Sequence, residues 1–403
     1  MTTAFKFSTE GASALLNRPQ LRAHKGTMAS SSDDPTDLIS FFTPEELWED
    51  LIEDWPNQKG KPHARRLILS GVPSAQTQAE LWRAALVDGG SEDETSYEAA
   101  ASAAATLRER LEWDWDGNVR RSQPRLDELA VVTADVPRTL PEKQRAGELD
   151  AAALTKVLDA FVASGVELEK LLEEGASEQG SSGYTQGLAD VAAWLLMHGL
   201  PPWQAYAVLH AQQKRPLLRS VMALDQNCWN ALCDCFEAHL KSGACGEVGR
   251  SLSAHLEGCG LVPFFFLPEW LVALWTRSLS DGAARSAWNL LLVDGELCFL
   301  LAAPLGVLCA IASKLMSCRD LVEARNTCRD APKELSVEEF QSAALGVALD
   351  NGLLQRHMAQ WVPDVPAAPR PAQEAIEGDA SIPPPPPEGF VGVYPRVHLA
   401  DVD

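Results

Sequence analysis

Gly183-Tyr184-Thr185-Gln186-Gly187-Leu188 sets a glutamine between two glycines, and behind it Leu188, Val191, Ala192, Leu195 and Leu196 recur at helical spacing. A glycine costs roughly 1 kcal/mol relative to alanine inside a helix. The flanking pair therefore marks a loop or a helix start where backbone must approach something closely. Gln186 is expected at the entry of a buried helix, on a rigid mount for a projecting amide. Earlier in the chain Leu126, Leu129 and Val132 form an apolar helical stripe that stops at Pro137, with Arg138 directly after the break. An arginine in that place can grip a phosphate or carboxylate through two parallel hydrogen bonds, which lysine cannot imitate.

Outward from these stretches the pattern stays helical. Leu154, Val157, Leu158, Phe161 and Val162 fit the i, i+3, i+4, i+7, i+8 template, which predicts a helix burying that face. From Pro201 to Lys314 helical patterns follow one another, with Trp270, Leu271, Leu274 and Trp275 expected to resume helical spacing after Pro268. Pro263 and Pro268 bracket the one stretch, Val262 to Leu267, that passes for a strand. The fold class is all-α, a globular multi-helix array without a fixed repeat.

Val132-Thr133-Ala134-Asp135-Val136-Pro137-Arg138 resembles the I-x-x-D-x-x-R motif, and Tyr184-Thr185-Gln186-Gly187 the Y-x-Q-G motif, of the TBC domain found in Rab GTPase-activating proteins. Other segments resemble that family in the right order: Arg66 through Gly71-Val72-Pro73 to Trp82, then His255-Leu256, Pro263, Trp270, Arg277, Trp288-Asn289 and Asp294-Gly295-Glu296. The resemblance covers residues 62–330. It implies that Arg138 and Gln186 are fingers inserted into the active site of a partner GTPase. Asp135 would hold Arg138 in its rotamer, Tyr184 would pack the glutamine loop, and Gly183 and Gly187 would support it. GTP and Mg²⁺ would be bound by the partner. No G-x-x-x-x-G-K-[ST] loop occurs, and no cofactor of its own is expected.

Three departures stand out. The family usually has arginine at the position of Gln78, asparagine at Ala189 and aspartate at Asn289. They bear on partner choice more than on mechanism. A non-catalytic TBC-like adaptor that binds a Rab or a trafficking complex is the alternative.

The chain has 403 residues, 46% of them hydrophobic, and a net charge of −22. That charge counts against nucleic acid or an anionic membrane as partner. All nine cysteines lie between Cys228 and Cys328 without regular spacing, as reduced thiols of a cytosolic core would. Cys228, Cys233, Cys235 and His239 lack zinc-site spacing and read as core. Leu297 to Ser313 is uncharged but short for a span, with Pro304 and Gly306 in its middle, so a buried helix with a proline break is expected.

The expected organisation is a disordered leader over 1–40 and an acidic amphipathic helix and loop over 41–61, opened by the capping box Thr43-Pro44-Glu45-Glu46. The TBC-like domain over 62–330 follows, then a C-terminal helix over 331–361 and a Pro-rich disordered tail over 362–403 with the run Pro383 to Pro387. The tail suits an SH3, WW or profilin-like domain, or is simply solvated. A cytoplasmic protein, peripheral at endomembranes and serving vesicle trafficking, is the expectation.

Overall fold

Twenty α-helices and no strand are found among the described residues. The computed structural model describes residues 44–58, 62–69, 71–72, 74–86, 93–113, 124–164 and 183–362. The leader, residue Thr43 of the capping box, the insertion over 165–182 and the Pro-rich tail beyond residue 362 lie outside the described residues, which all belong to one compact unit.

The helices run α1 Pro44–Glu53, α2 Trp55–Gln58, α3 Pro62–Leu69, α4 Ala75–Leu86, α5 Glu94–Trp113, α6 Pro124–Asp135, α7 Pro141–Arg145 and α8 Ala151–Ala163. Next come α9 Gly187–Met197, α10 Pro202–Gln213, α11 Pro216–Met222, α12 Gln226–Ser242, α13 Gly246–Cys259 and α14 Leu267–Leu271. The last are α15 Asp281–Leu297, α16 Ala303–Ala310, α17 Ala312–Leu315, α18 Leu321–Asp330, α19 Val337–Leu345 and α20 Asn351–Met358.

The stripe Leu154, Val157, Leu158, Phe161 and Val162 is wholly buried, and α8 is accordingly the post around which α5, α6, α9 and α10 pack. Asp150 caps its start by accepting a hydrogen bond from Ala152 N. Arg108 of α5 ties the same helix from outside, donating Nε to Asp159 Oδ2 at 2.8 Å. A second, smaller core joins Trp48, Leu51 and Trp55 to Ile68, Leu81 and Ala85, so the amphipathic α1 docks onto α4. Ser74 caps α4 by accepting from Thr77 N at 3.0 Å.

Three expectations change in the second half. The spacing Trp270, Leu271, Leu274, Trp275 does not continue as helix: α14 ends at Leu271, and Leu274 and Trp275 take left-handed φ of 46° and 71°. All four side chains are nonetheless buried, because a tight turn gathers them onto the core as well as a helix would. The helical backbone is interrupted at Gly295 (φ 80°), just before the apolar run, and within the run the irregularity is a π-helical turn at Cys298–Ala302, not a break at Pro304. Pro304 lies at the start of α16, directly after the π-helical turn, and the helix runs on through it to Ala310. Helical backbone over Asp281–Ala310 is long and apolar enough to cross a membrane by length and composition. In this fold its Trp288, Phe299, Leu301 and Leu305 are core residues. Third, residues 331–361 hold two helices, α19 and α20, rather than one.

The cysteine-bearing α12 explains how the C-terminal helices dock. His239, fully buried, shares Nδ1 with Cys235 O at 2.7 Å and accepts at Nε2 from Asp350 N at 3.0 Å, just ahead of α20. All nine cysteines are free thiols.

Candidate functional site

The glutamine motif folds as its glycines dictate. Gly183 has φ +80°, a left-handed value that a side chain would strain. Gly187 opens α9, and a Cβ there would lie 2.4 Å from Val272 O, so only glycine lets the two backbones meet. Between them Tyr184 is buried and Gln186, the residue before the helix, is exposed. The amide is carried by a helix start that is pressed against a neighbouring segment.

Arg138 sits on a 3₁₀ turn, Val136–Arg138, that continues α6. The turn is clamped from both sides. Thr139 returns its N–H (3.0 Å) and its hydroxyl (2.9 Å) to Asp135 O. Gln144 of α7 donates Nε2 to Val136 O at 2.6 Å and to Thr139 O at 2.7 Å, one carbonyl on each side of Arg138. Arg138 itself is exposed and makes no hydrogen bond or ion pair with the described residues.

The two mounts are joined by one buried bond: Tyr184 donates its hydroxyl to Asp135 Oδ2 at 3.0 Å. This differs from the expected arrangement, in which Asp135 grips Arg138. Asp135 points back into the core toward Tyr184, and Arg138 reaches it only as a nearby charge. Burial raises the Asp135 carboxyl above its usual range, partly offset by the tyrosine bond and by Arg138. Burial, with the Asp135 charge, also pushes the Tyr184 phenol upward, so the phenol stays protonated and remains the donor.

Arg138 and Gln186 line one cleft of about 280 Å³, together with Asp135, Asp190, Arg277, Leu140 and Pro141. Asp190 and Arg277 add a second charged pair that motif reading did not assign to the site. Asp190 follows Gln186 by one helical turn and is the only charged residue in the otherwise apolar α9, which was a usable signal. Its partner could not be seen in sequence: Arg277 Nη1 approaches Asp190 Oδ2 at 3.4 Å across 87 positions. Burial pushes the Asp190 carboxyl up to about 6 against the pull of Arg277.

The segment that carries Arg277 also supplies the Val272 carbonyl against Gly187. Its left-handed residues are held by indoles: Trp288 Nε1 donates to Leu274 O at 2.9 Å, and Trp275 Nε1 to Phe299 O at 3.3 Å. Ser278 Oγ donates to Glu269 O at 3.0 Å and closes the turn. The departures at Gln78 and Asn289 lie elsewhere and touch each other. Gln78 Nε2 donates to Asn289 Oδ1 at 2.9 Å, and Asn289 Nδ2 returns to Gln78 Oε1 at 3.4 Å, both side chains buried. Ala189 is buried in α9.

Residues 115–316 match the model of the Rab-GTPase-TBC domain. The chain is 30% identical to Carabin of Mus musculus over 179 residues, 44% of this chain and 39% of that protein. It is 22% identical over 200 residues to TBC1 domain family member 14 of Bos taurus, 50% of this chain and 27% of that one. With Rab GTPase-activating protein tbc-11 of Caenorhabditis elegans it shares 26% identity over 238 residues, 57% of this chain and 21% of that one. The chain thus spans well under half the length of each of these relatives. Among solved structures, that of the Chlamydomonas flagellar RabGAP TBC domain superposes with a TM-score of 0.49 at 16% identity, covering 75% of this chain and 92% of that one.

Proposed function

Because the chain belongs to the Rab-GTPase-TBC domain family, we propose that it is a GTPase-activating protein for a Rab-type small GTPase, supplying Arg138 and Gln186 in trans. The observation that carries this reading is their placement: an exposed guanidinium, unpaired among the described residues, and an exposed amide share one cleft, each on a clamped mount. An arginine kept for the protein's own stability would be paired, as Arg65 is with Asp294 at 2.6 Å and 2.9 Å.

Phosphoryl transfer asks little covalent help of a catalyst. It needs positive charge on the developing negative oxygens and a water held in line, both pre-positioned. Arg138 neutralises charge on the β- and γ-phosphate oxygens. Gln186 orients the attacking water through its amide, in place of the GTPase's own glutamine. Asp135 and Tyr184 act behind them, fixing the distance between the two mounts. GTP and Mg²⁺ belong to the partner, and this chain's contribution is activation rather than a reaction of its own. The setting is vesicle trafficking, with a cytoplasmic protein acting at endomembrane surfaces.

The test is single-turnover GTP hydrolysis over a panel of GTP-loaded Rabs. An arginine finger in trans is worth ~10³ to 10⁵ in rate. Arg138→Ala and Arg138→Lys are both expected to abolish the acceleration while leaving the fold intact; full activity in either one removes Arg138 from the role. A Rab that binds in its GTP form without being accelerated would point to the adaptor reading instead.

A further inference from the structure

Arg277 stands on the rim of the same cleft as Arg138, and its side chain is 59% exposed. Three arginine–carboxylate pairs in this protein show how differently it is held. Arg65 meets Asp294 with Nε and Nη2 at 2.6 Å and 2.9 Å, and Arg108 likewise engages both oxygens of Asp159. Those are two-point forks that fix a guanidinium. Arg277 touches Asp190 with Nη1 alone, at 3.4 Å, a length at which a charge-assisted hydrogen bond is weak. Its Nε–Nη2 edge, the edge that the other two arginines use, meets no acceptor among the described residues.

The backbone beneath it is the opposite of loose. Leu274 and Trp275 are consecutive left-handed residues, a strained conformation that persists only where the surroundings impose it. The indoles of Trp288 and Trp275 and the Ser278 hydroxyl impose it here. This turn presents Val272 O to Gly187 and Arg277 to the cleft. A rigid, strained mount that ends in a half-tethered guanidinium suits a binding contact better than a structural one.

We infer that Arg277 is a docking residue for the GTPase, offering its free Nε–Nη2 edge to an acidic side chain that flanks the partner's nucleotide site. A carboxylate is the planar, two-oxygen acceptor that this edge fits. A phosphate would match the same edge, but in the activating reading the phosphates already fall to Arg138, which bonds to none of the described residues, while Arg277 keeps its contact to Asp190. In a chain of net charge −22, a cation on this rim also relieves repulsion against an acidic partner surface.

The inference rests on the GTPase-activating reading, and one experiment separates the two. Saturation kinetics would be measured for a responsive GTP-loaded Rab with wild type, Arg277→Ala, Arg277→Lys and Arg277→Glu, with thermal melting run alongside. Arg277→Ala should raise KM about tenfold or more and leave kcat within about threefold. Arg277→Lys should recover part of the loss, Arg277→Glu should deepen it, and kcat/KM of Arg277→Ala should depend less on ionic strength. An unchanged KM overturns the docking role while the activator reading stands. A fall in kcat at constant KM overturns it too, moving Arg277 to the transition-state phosphates. If wild type accelerates no Rab, the activator reading and this inference fall together.

Discussion

Gln78 and Asn289 replace an arginine and an aspartate that the TBC family usually carries, and in this structure they bond to each other at 2.9 Å and 3.4 Å. The two departures therefore fall on residues that touch, and the expectation is that they are one compensated change: an arginine at 78 would face an aspartate at 289 across the same contact. The perturbation that tests this is stepwise reversal. Gln78 is 3% and Asn289 5% exposed, so a charge placed at either has almost no water. Gln78→Arg alone puts a guanidinium opposite a neutral amide; an uncompensated buried charge costs about 3–5 kcal/mol. Asn289→Asp alone is milder, because the carboxyl can take up a proton: about 1–3 kcal/mol for lost hydrogen bonding. With both changes the charges meet and each is paired, so the double variant should lie within about 2 kcal/mol of wild type. The favourable coupling is then at least about 2 kcal/mol, near the top of the range for contacting residues. Urea unfolding of the four proteins at pH 7 measures it. If Gln78→Arg is tolerated within about 1 kcal/mol, or if the double variant loses the sum of the singles, the positions are independent and the compensation is refuted.

Gly187→Ala would bring a Cβ to 2.4 Å from backbone oxygen of Val272, which cannot swing away; a loss of about 1–3 kcal/mol in urea unfolding is expected, together with weakened GTPase stimulation as Gln186 is displaced, and a fully active, equally stable variant would contradict the contact. Asp190 has its folded pKa raised from 3.8 to about 6, so its contribution to stability is fully present below about pH 3.8 and is lost as pH rises through about 6. Asp190→Asn should therefore gain on wild type between pH 4 and pH 7, by up to about 3 kcal/mol at 1.36 kcal/mol per pKa unit; parallel stability curves would rule this out. Gln144→Ala removes both amide bonds that clamp the Arg138 turn, and kcat of stimulated hydrolysis should fall about tenfold with KM little changed, since imprecise placement of a reacting group costs rate rather than binding; an unaltered kcat would show that the turn holds without it.

What the sequence made legible was whatever depends on spacing along one helix. The stripe from Leu154 to Val162 buries as its period requires, and Gln186 stands at a helix entry because glycines leave it nowhere else. Spacing could mislead where a turn does the work of a helix. Trp270, Leu271, Leu274 and Trp275 carry a helical period, yet Leu274 and Trp275 are left-handed because distant indoles hold them so. Pairings across the chain were invisible for the same reason. Nothing local links Asp135 to Tyr184 rather than to Arg138, Asp190 to Arg277, or Gln78 to Asn289. Arg138 and Gln186 could be singled out from motifs, while the clamp of Gln144 and the second charged pair needed three dimensions.

The central claim is that the water-orienting amide comes from this chain. Its most direct test uses a responsive Rab whose own switch glutamine has been replaced by alanine, with GTP hydrolysis followed in a single turnover. Wild type should still accelerate this Rab by at least about a hundredfold, and Gln186→Ala should not. Loss of acceleration by wild type, or equal acceleration by Gln186→Ala, would contradict the account.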